Sequence, residues 1–171
     1  MSNKQPIKIN EIELKDDKVV KVKRVNKVVK GGRILSFSAL VVVGDMSGVV
    51  GFGLGKARDY SQAIEKATNN ARKNLTRVCV LKGTIPHEVK GKHKGSEVFL
   101  KPAAEGTGVI AGGPARSVLK QSGIPNVVAK SRGSNNPYNV VIATMNAMAA
   151  LRDPYTIAKL RGISLDKLFN G

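Results

Sequence analysis

Lysine, arginine and glycine recur together in three short segments: KVVKGGR at residues 27–33, VKGKHKG at 89–95 and KSRGSNN at 130–136. Glycine permits close approach, so backbone N–H groups can reach phosphate oxygens while neighbouring cations supply charge. The chemistry open to these segments is recognition of a phosphate backbone. Other chemistries fail on spacing or composition. VVGFGLGK, residues 49–56, comes near a nucleotide-binding loop, but that loop needs Gly five residues before its Gly-Lys pair and Ser or Thr after it. Val50 and Ala57 stand there instead. Gly106, Gly108 and Ala111 meet the loose glycine pattern of a dinucleotide site, yet no Asp or Glu lies between Gly106 and Arg152 to hold a ribose hydroxyl. The same gap removes any general acid or base carboxylate from that stretch. His87 and His93 are the only histidines, too few and wrongly spaced for a metal motif. His93 suits a loop that meets a partner. The lone Cys79, in VCVL, reads as a small buried residue. No enzyme activity, cofactor, metal or small-molecule substrate is expected.

The placement of charge points the same way. Net charge is +17 over 171 residues. Residues 1–17 carry −1 and residues 153–171 carry +1, so residues 18–152 hold the whole excess. A basic excess on a core-bearing region, rather than on a tail, faces a polyanion, and nucleic acid is favoured over an anionic membrane. No apolar run is long enough to span a bilayer. The start, MSNKQPIKINEIELKDD, lacks the apolar region of a signal peptide, and its acids do not suit a transit peptide. Aromatic residues make up 4% of the chain. Phe37, Phe52 and Phe99 sit in strand patterns and are expected in the core. Base stacking is then a minor mode, and recognition of RNA shape and backbone the main one.

These groups need a scaffold. Residues 18–30 alternate through Val20 and Val22 and then slip between Val25 and Val28, as at a bulge or a loop leaving the sheet. Gly31-Gly32 mark the turn into a second strand, ILSFSALVVVGD at 34–45. GDMSG, 44–48, has hairpin chemistry, and VVGFGLGKA returns as a third strand. Residues 59–77 read as a helix capped by Asp59 or Ser61. Tyr60, Ala63, Ile64, Ala67, Ala71 and Leu75 form its packing face. Lys66, Asn70, Lys73 and Arg77 form a row about 90° away, suited to lie along a phosphate backbone. Beyond it come a short strand (VCVLKG), two strands joined by the loop 90–95, a glycine-rich stretch at 102–113 and a helix at 114–121. A strand and loop, helices at 137–151 and 155–161, and a last turn from Ser164 complete the chain. Two units result, with a seam near 76–84.

VKGGRILSFSALVVVGD, VGFGLGKA, PAAEGTGVIAGGPARSVL and GSNNPYNVV, in this order, resemble the bacterial-type small-subunit ribosomal protein S-five family over about residues 18–168. The resemblance implies an α+β chain of two domains. The first is like a double-stranded-RNA-binding domain, a three-stranded antiparallel sheet plus a helix. The second is an α/β domain with a left-handed βαβ crossover. The divisions expected are a flexible extension over 1–15, an rRNA-binding domain over 16–80 and the α/β domain over 81–171.

The family's role implies a structural constituent of the small ribosomal subunit in the cytoplasm. It implies binding to small-subunit rRNA at the neck, proximity to the mRNA entry path, a contribution to translational accuracy, and contact with the fourth and eighth small-subunit proteins. No membrane and no obligate homo-oligomer are expected. Carried over residue by residue, a loop tied to spectinomycin falls on Val25, Asn26 and Lys27. The accuracy-related contact with the fourth protein falls on Gly106, Gly108 and Arg116. The expected rRNA-binding residues are Lys23, Arg24, Asn26, Lys27, Lys30, Gly31, Gly32 and Arg33 in the first basic segment, then Lys56, Arg58, Lys66, Arg72, Lys73 and Arg77. Lys90, Lys92, His93, Lys94, Lys130 and Arg132 complete the set. The acidic lead-in matches no family motif. A freestanding double-stranded-RNA-binding regulator and an RNA-modifying enzyme are the alternatives, and the missing acids count against the second.

Overall fold

The computed structural model describes residues 15–170. The expected extension over 1–15 lies outside the described residues except at Lys15, which begins the first strand. Two four-stranded sheets organise the described residues. The first runs β1 (Lys15–Val29), β2 (Gly32–Gly44), β3 (Val49–Ala57), β4 (Leu75–Arg77) in that spatial order, all antiparallel. Helix α1 (Tyr60–Lys73) joins β3 to β4. The second sheet contains β5 (Val89–His93), β6 (Ser96–Pro102), β7 (Val109–Ile110) and β8 (Val127–Gly133), ordered β5-β6-β8-β7. Its pairs are antiparallel except β7 with β8, which are parallel and linked through α2 (Gly113–Gln121). Helices α3 (Pro137–Ala149), α4 (Pro154–Arg161) and α5 (Leu165–Asn170) follow.

Strand alternation sets the layers. On β2, Ala39, Val41 and Val43 face α1 and pack with Ala63, Ala67 and Ala71. Leu40 and Val42 point to the other face and join Val50, α2's Val118 and Leu119, α3's Val141 and Met148, and the second sheet's Val98, Leu100 and Val127 in one cluster. The order is α1, first sheet, α2 with α3, second sheet. Burial on both faces explains why ALVVV reads as an unbroken apolar run. Glycine allows the closest packing. A Cβ on Gly53 of β3 would run into the Ala67 carbonyl and the Ala71 amide, and one on Gly91 of β5 into the Ala143 carbonyl of α3. VVGFGLGK is thus a strand whose glycines admit a helix.

The structure departs from the sequence reading in four places. The first sheet has four strands, because the helix expected over 59–77 stops at Lys73. Asn74 leaves helical geometry at φ −116°, ψ 50°, and Leu75, Thr76 and Arg77 pair with Gly51, Val50 and Val49. VCVLKG forms no strand, only a Leu81–Thr84 bridge across a turn with positive φ at Lys82 and Gly83. The expected loop 90–95 is mostly strand, with a tight turn at Lys94-Gly95. Finally, β1 does not end where its alternation slips. Its register irregularities lie between Lys15 and Lys18 and between Val19 and Lys21, and pairing continues regularly to Val29 with Gly32. Every residue from 23 to 35 is exposed. Neither face of this arm is covered, so nothing requires one face to be apolar.

Candidate nucleic-acid interface

The arm formed by the ends of β1 and β2 has two distinct faces. Lys23, Val25 and Lys27 lie opposite Ser38, Ser36 and Ile34 on one; Arg24, Asn26 and Val28 lie opposite Phe37, Leu35 and Arg33 on the other. Lys30 and Gly31 make the turn, and Gly32 takes φ +133°, which a side chain would strain. Among the described residues, chain neighbours aside, no heavy atom lies within 4 Å of where a Cβ on Gly31 or Gly32 would be, so the tip is open. Arg24, Asn26, Arg33 and Leu35 line an open hollow of about 500 Å³. On the opposite face, Lys21, Lys23 and Lys56 meet Asn136, Pro137 and Tyr138 around a cleft of about 220 Å³. The basic arm and the GSNNP segment, distant in sequence, thus border one cleft. Lys21 belongs there too, and sequence reasoning misses it because its charge sits in an alternating strand.

On α1, Lys66, Arg72 and Lys73 are exposed, and Arg58 is exposed just before the helix. Asn70 is occupied: its side-chain amide donates to the Leu54 carbonyl at 3.0 Å. Arg77 lies on β4, so the row expected on one helix reduces to two lysines.

A third surface lies on the second sheet. Val98, Leu100 and Ala129 are buried toward the helices. Their alternates face outward: Lys90 and Lys92 on β5, Glu97, Phe99 and Lys101 on β6, Val128, Lys130 and Arg132 on β8. The register sets Phe99 between Lys90 and Lys130, and Glu97 between Lys92 and Arg132. The Lys90 ammonium stands 5.8 Å from the Phe99 ring centre. Phe37 and Phe52 do pack against the two cores, but Phe99 is half-buried on the outer face and joins neither cluster. Alternation with Val98 and Leu100 is the signal in the sequence that marks it. His93 shares the strand parity of Gly91, toward α3, and is half-buried rather than out among the lysines. Lys94 is exposed in the turn at φ +49°.

Gly106 and Gly108, at φ +86° and +75°, sit in the loop between β6 and β7 with open space where side chains would be. The Gly108 amide donates to the Asn126 side chain at 3.0 Å, which ties that loop to the start of β8. Arg116 is exposed on α2. His87 accepts from the Arg152 amide at 3.1 Å, and its other ring nitrogen lies 2.8 Å from the Glu88 carbonyl. It is a tie between segments. Among the described residues no group of His, Cys, Asp and Glu could hold a metal ion, and no helix is long and apolar enough to cross a membrane.

Residues 15–79 match the family model for the N-terminal domain of ribosomal protein S5, and residues 91–161 match that for its C-terminal domain. The chain belongs to the ribosomal protein S5 family. It is 56% identical over 162 residues to small ribosomal subunit protein uS5 of Bacteroides fragilis, covering 95% of this chain and 94% of that one. To uS5 of Flavobacterium psychrophilum it is 54% identical, covering 99% and 97%. To uS5 of Thermotoga maritima it is 49% identical, covering 91% and 88%. This S5-family chain carries the arm and α1 in the first matched region, and β6, β8 and α3 in the second. The family is one of structural ribosomal components, not enzymes, which removes the RNA-modifying alternative.

Proposed function

We propose that the chain is a structural constituent of the small ribosomal subunit in the cytoplasm, and that it grips folded small-subunit rRNA through phosphate contacts. The observation that carries this reading is the arm. Residues 23–33 hold Lys23, Arg24, Lys27, Lys30 and Arg33 and no acid, and they stand exposed on both faces of a two-stranded ribbon. Such a ribbon adds nothing to the core, while its cations attract a polyanion and can contact the phosphate backbone of folded RNA from both faces. Lys66 and Lys73 on α1, and the lysines of the second sheet, extend the same charge to other sides of the molecule.

On this reading the arm reaches toward the spectinomycin site through Val25, Asn26 and Lys27. The loop at Gly106 and Gly108, with Arg116, meets the fourth small-subunit protein in a contact that bears on accuracy. The eighth protein is the second protein neighbour, and the mRNA entry path lies close by. The experiment is sedimentation of the labelled chain with small subunits through a high-salt wash, beside binding to long generic RNA duplexes at physiological salt. Retention with the subunits is the expected result. Loss from the subunits together with strong, sequence-blind duplex binding would instead identify a freestanding regulator.

A further inference from the structure

We propose that the outer face of the second sheet is a stacking site for an unpaired RNA nucleotide. Phe99 is the platform, and Lys90 and Lys130 hold the flanking phosphates. This rests on the RNA-binding reading above and adds to it a second mode, one that reads an extruded base rather than a backbone.

Phe99 lies on the central strand β6, flanked in register by Lys90 on β5 and Lys130 on β8. Neighbouring strands are about 4.8 Å apart. Each lysine therefore starts one strand away from the ring, within reach of a phosphate on either side of a base laid on it. The Lys90 ammonium sits over the ring, 5.8 Å from its centre, so a base taking that face displaces it toward the flanking phosphate. Around the ring the face carries Lys90, Lys92, Lys101, Lys130 and Arg132 against a single acid, Glu97. Val128, diagonal to Phe99 across the β6–β8 pair, is opposite Ile110, which is 51% exposed, and the two add apolar surface beside the ring. Both α2 and α3 pack on the opposite face.

This composition separates the possible occupants. The centre of a protein–protein patch is depleted in lysine and charge. An aromatic ring encircled by cations is instead the make-up of a single-strand nucleic-acid surface: the ring stacks on any base and the cations track the backbone. If the face served folding alone, the ring would simply cover lysine stems, and removing it would leave RNA binding unaltered.

The test uses the full chain and a short oligoadenylate carrying one fluorescent adenine analogue, with a short RNA duplex as control. Wild type should quench the fluorophore. Phe99→Leu should weaken oligoadenylate binding about tenfold, with duplex affinity and thermal midpoint unchanged, and Phe99→Tyr should restore it. Should Phe99→Leu fail to fold, Lys90→Gln with Lys130→Gln carries the test: the salt slope for the oligoadenylate should fall by about 1.4, roughly 0.7 for each of the two phosphates. Equal oligoadenylate affinity in wild type and Phe99→Leu, or no quenching by wild type, overturns the proposal. So does a Phe99→Leu chain that drops out of small subunits yet keeps its oligoadenylate affinity, since the face would then receive a protein. Sedimentation of wild type with small subunits reads the broader function independently, so either reading can fail alone.

Discussion

Lys66 and Lys73 are what α1 keeps of the basic row expected along it, with exposed Arg72 beside them. The helical spacing groups Asn70 and Arg77 with them, but Asn70 is bonded to Leu54 and Arg77 belongs to β4. Replacing both lysines by Ala should lower the slope of log K against log salt by about 0.9 for each phosphate that the pair neutralises. Binding to small-subunit rRNA across a salt series measures it, and an unchanged slope would make the pair a solvated face. A second expectation concerns Cys79. Burial, and then the nearby Asp153 carboxylate, push its thiol pKa up. The native state thus keeps its proton where the unfolded chain has begun to release it. The stabilisation is complete below the ordinary thiol range and is lost as pH rises through the native pKa. Alkylation by iodoacetamide near pH 8 should therefore be slower than that of an exposed cysteine. Asp153→Asn keeps an oxygen to accept from the Tyr155 amide while removing the charge, and should speed alkylation modestly. A rate equal to that of a free thiol would sink the assignment.

At the scale of elements, β3 and α1 meet through Gly51, Gly53 and Gly55 against Ala63, Ala67 and Ala71. Gly53→Ala forces a methyl into backbone atoms that no rotamer change can clear, which costs roughly 3 kcal/mol. Chemical denaturation should show the loss, whereas Gly31→Ala, with open space around it, should leave the midpoint nearly unchanged. Similar losses for the two would refute the close-packing account. The arm allows a further expectation. Deleting Lys27 falls between the pairs Asn26–Leu35 and Val28–Arg33, beyond the strand lengths pinned by the core. It should alter spectinomycin sensitivity in cells that rely on this variant while the purified chain keeps its melting midpoint; unaltered sensitivity would dismiss the spectinomycin role.

These elements also show what the sequence could reveal. The buried run of β2 and the glycines of β3 are legible because burial imposes its own pattern. The arm is legible as basic and bent, but not as continuous strand, since solvent on both faces erases alternation. The end of α1 is hidden because Leu75 fits the helical apolar face by spacing, while its actual partner, Gly51, lies far off in sequence. Phe99 is placed by the parity of its neighbours Val98 and Leu100, and its aromatic character alone points the wrong way, into the core.

The two sheets answer to separate family matches, yet they share one hydrophobic cluster. Leu40, Val42 and Val50 of the first sheet belong to the same cluster as residues of α2, α3 and the second sheet, and α2 packs against β1, β2 and β3. The seam is also bonded through backbone: the Met46 amide donates to the Gln121 carbonyl at 3.2 Å, and the Gly48 amide to the Ser122 carbonyl at 3.1 Å. Glycine is required on both sides. A Cβ on Gly44 would overlap the Gln121 backbone, and one on Gly123, at φ +75°, the Met46 backbone. If either half unfolded alone, it would expose the other's share of this cluster to water, at a cost set by the apolar area uncovered. The chain should therefore unfold in a single transition. Probes placed separately in the first and second sheets should report coincident midpoints. Gly44→Ala should lower both midpoints together, by several degrees, if the seam is weakened by on the order of 2 kcal/mol. Two resolved transitions in wild type, or a Gly44→Ala shift confined to the first sheet, would mean that the shared cluster does not couple the halves. Coupling of this kind would hold the arm, the α1 lysines and the Phe99 face in fixed relative positions, which a protein that grips several parts of a folded RNA at once requires.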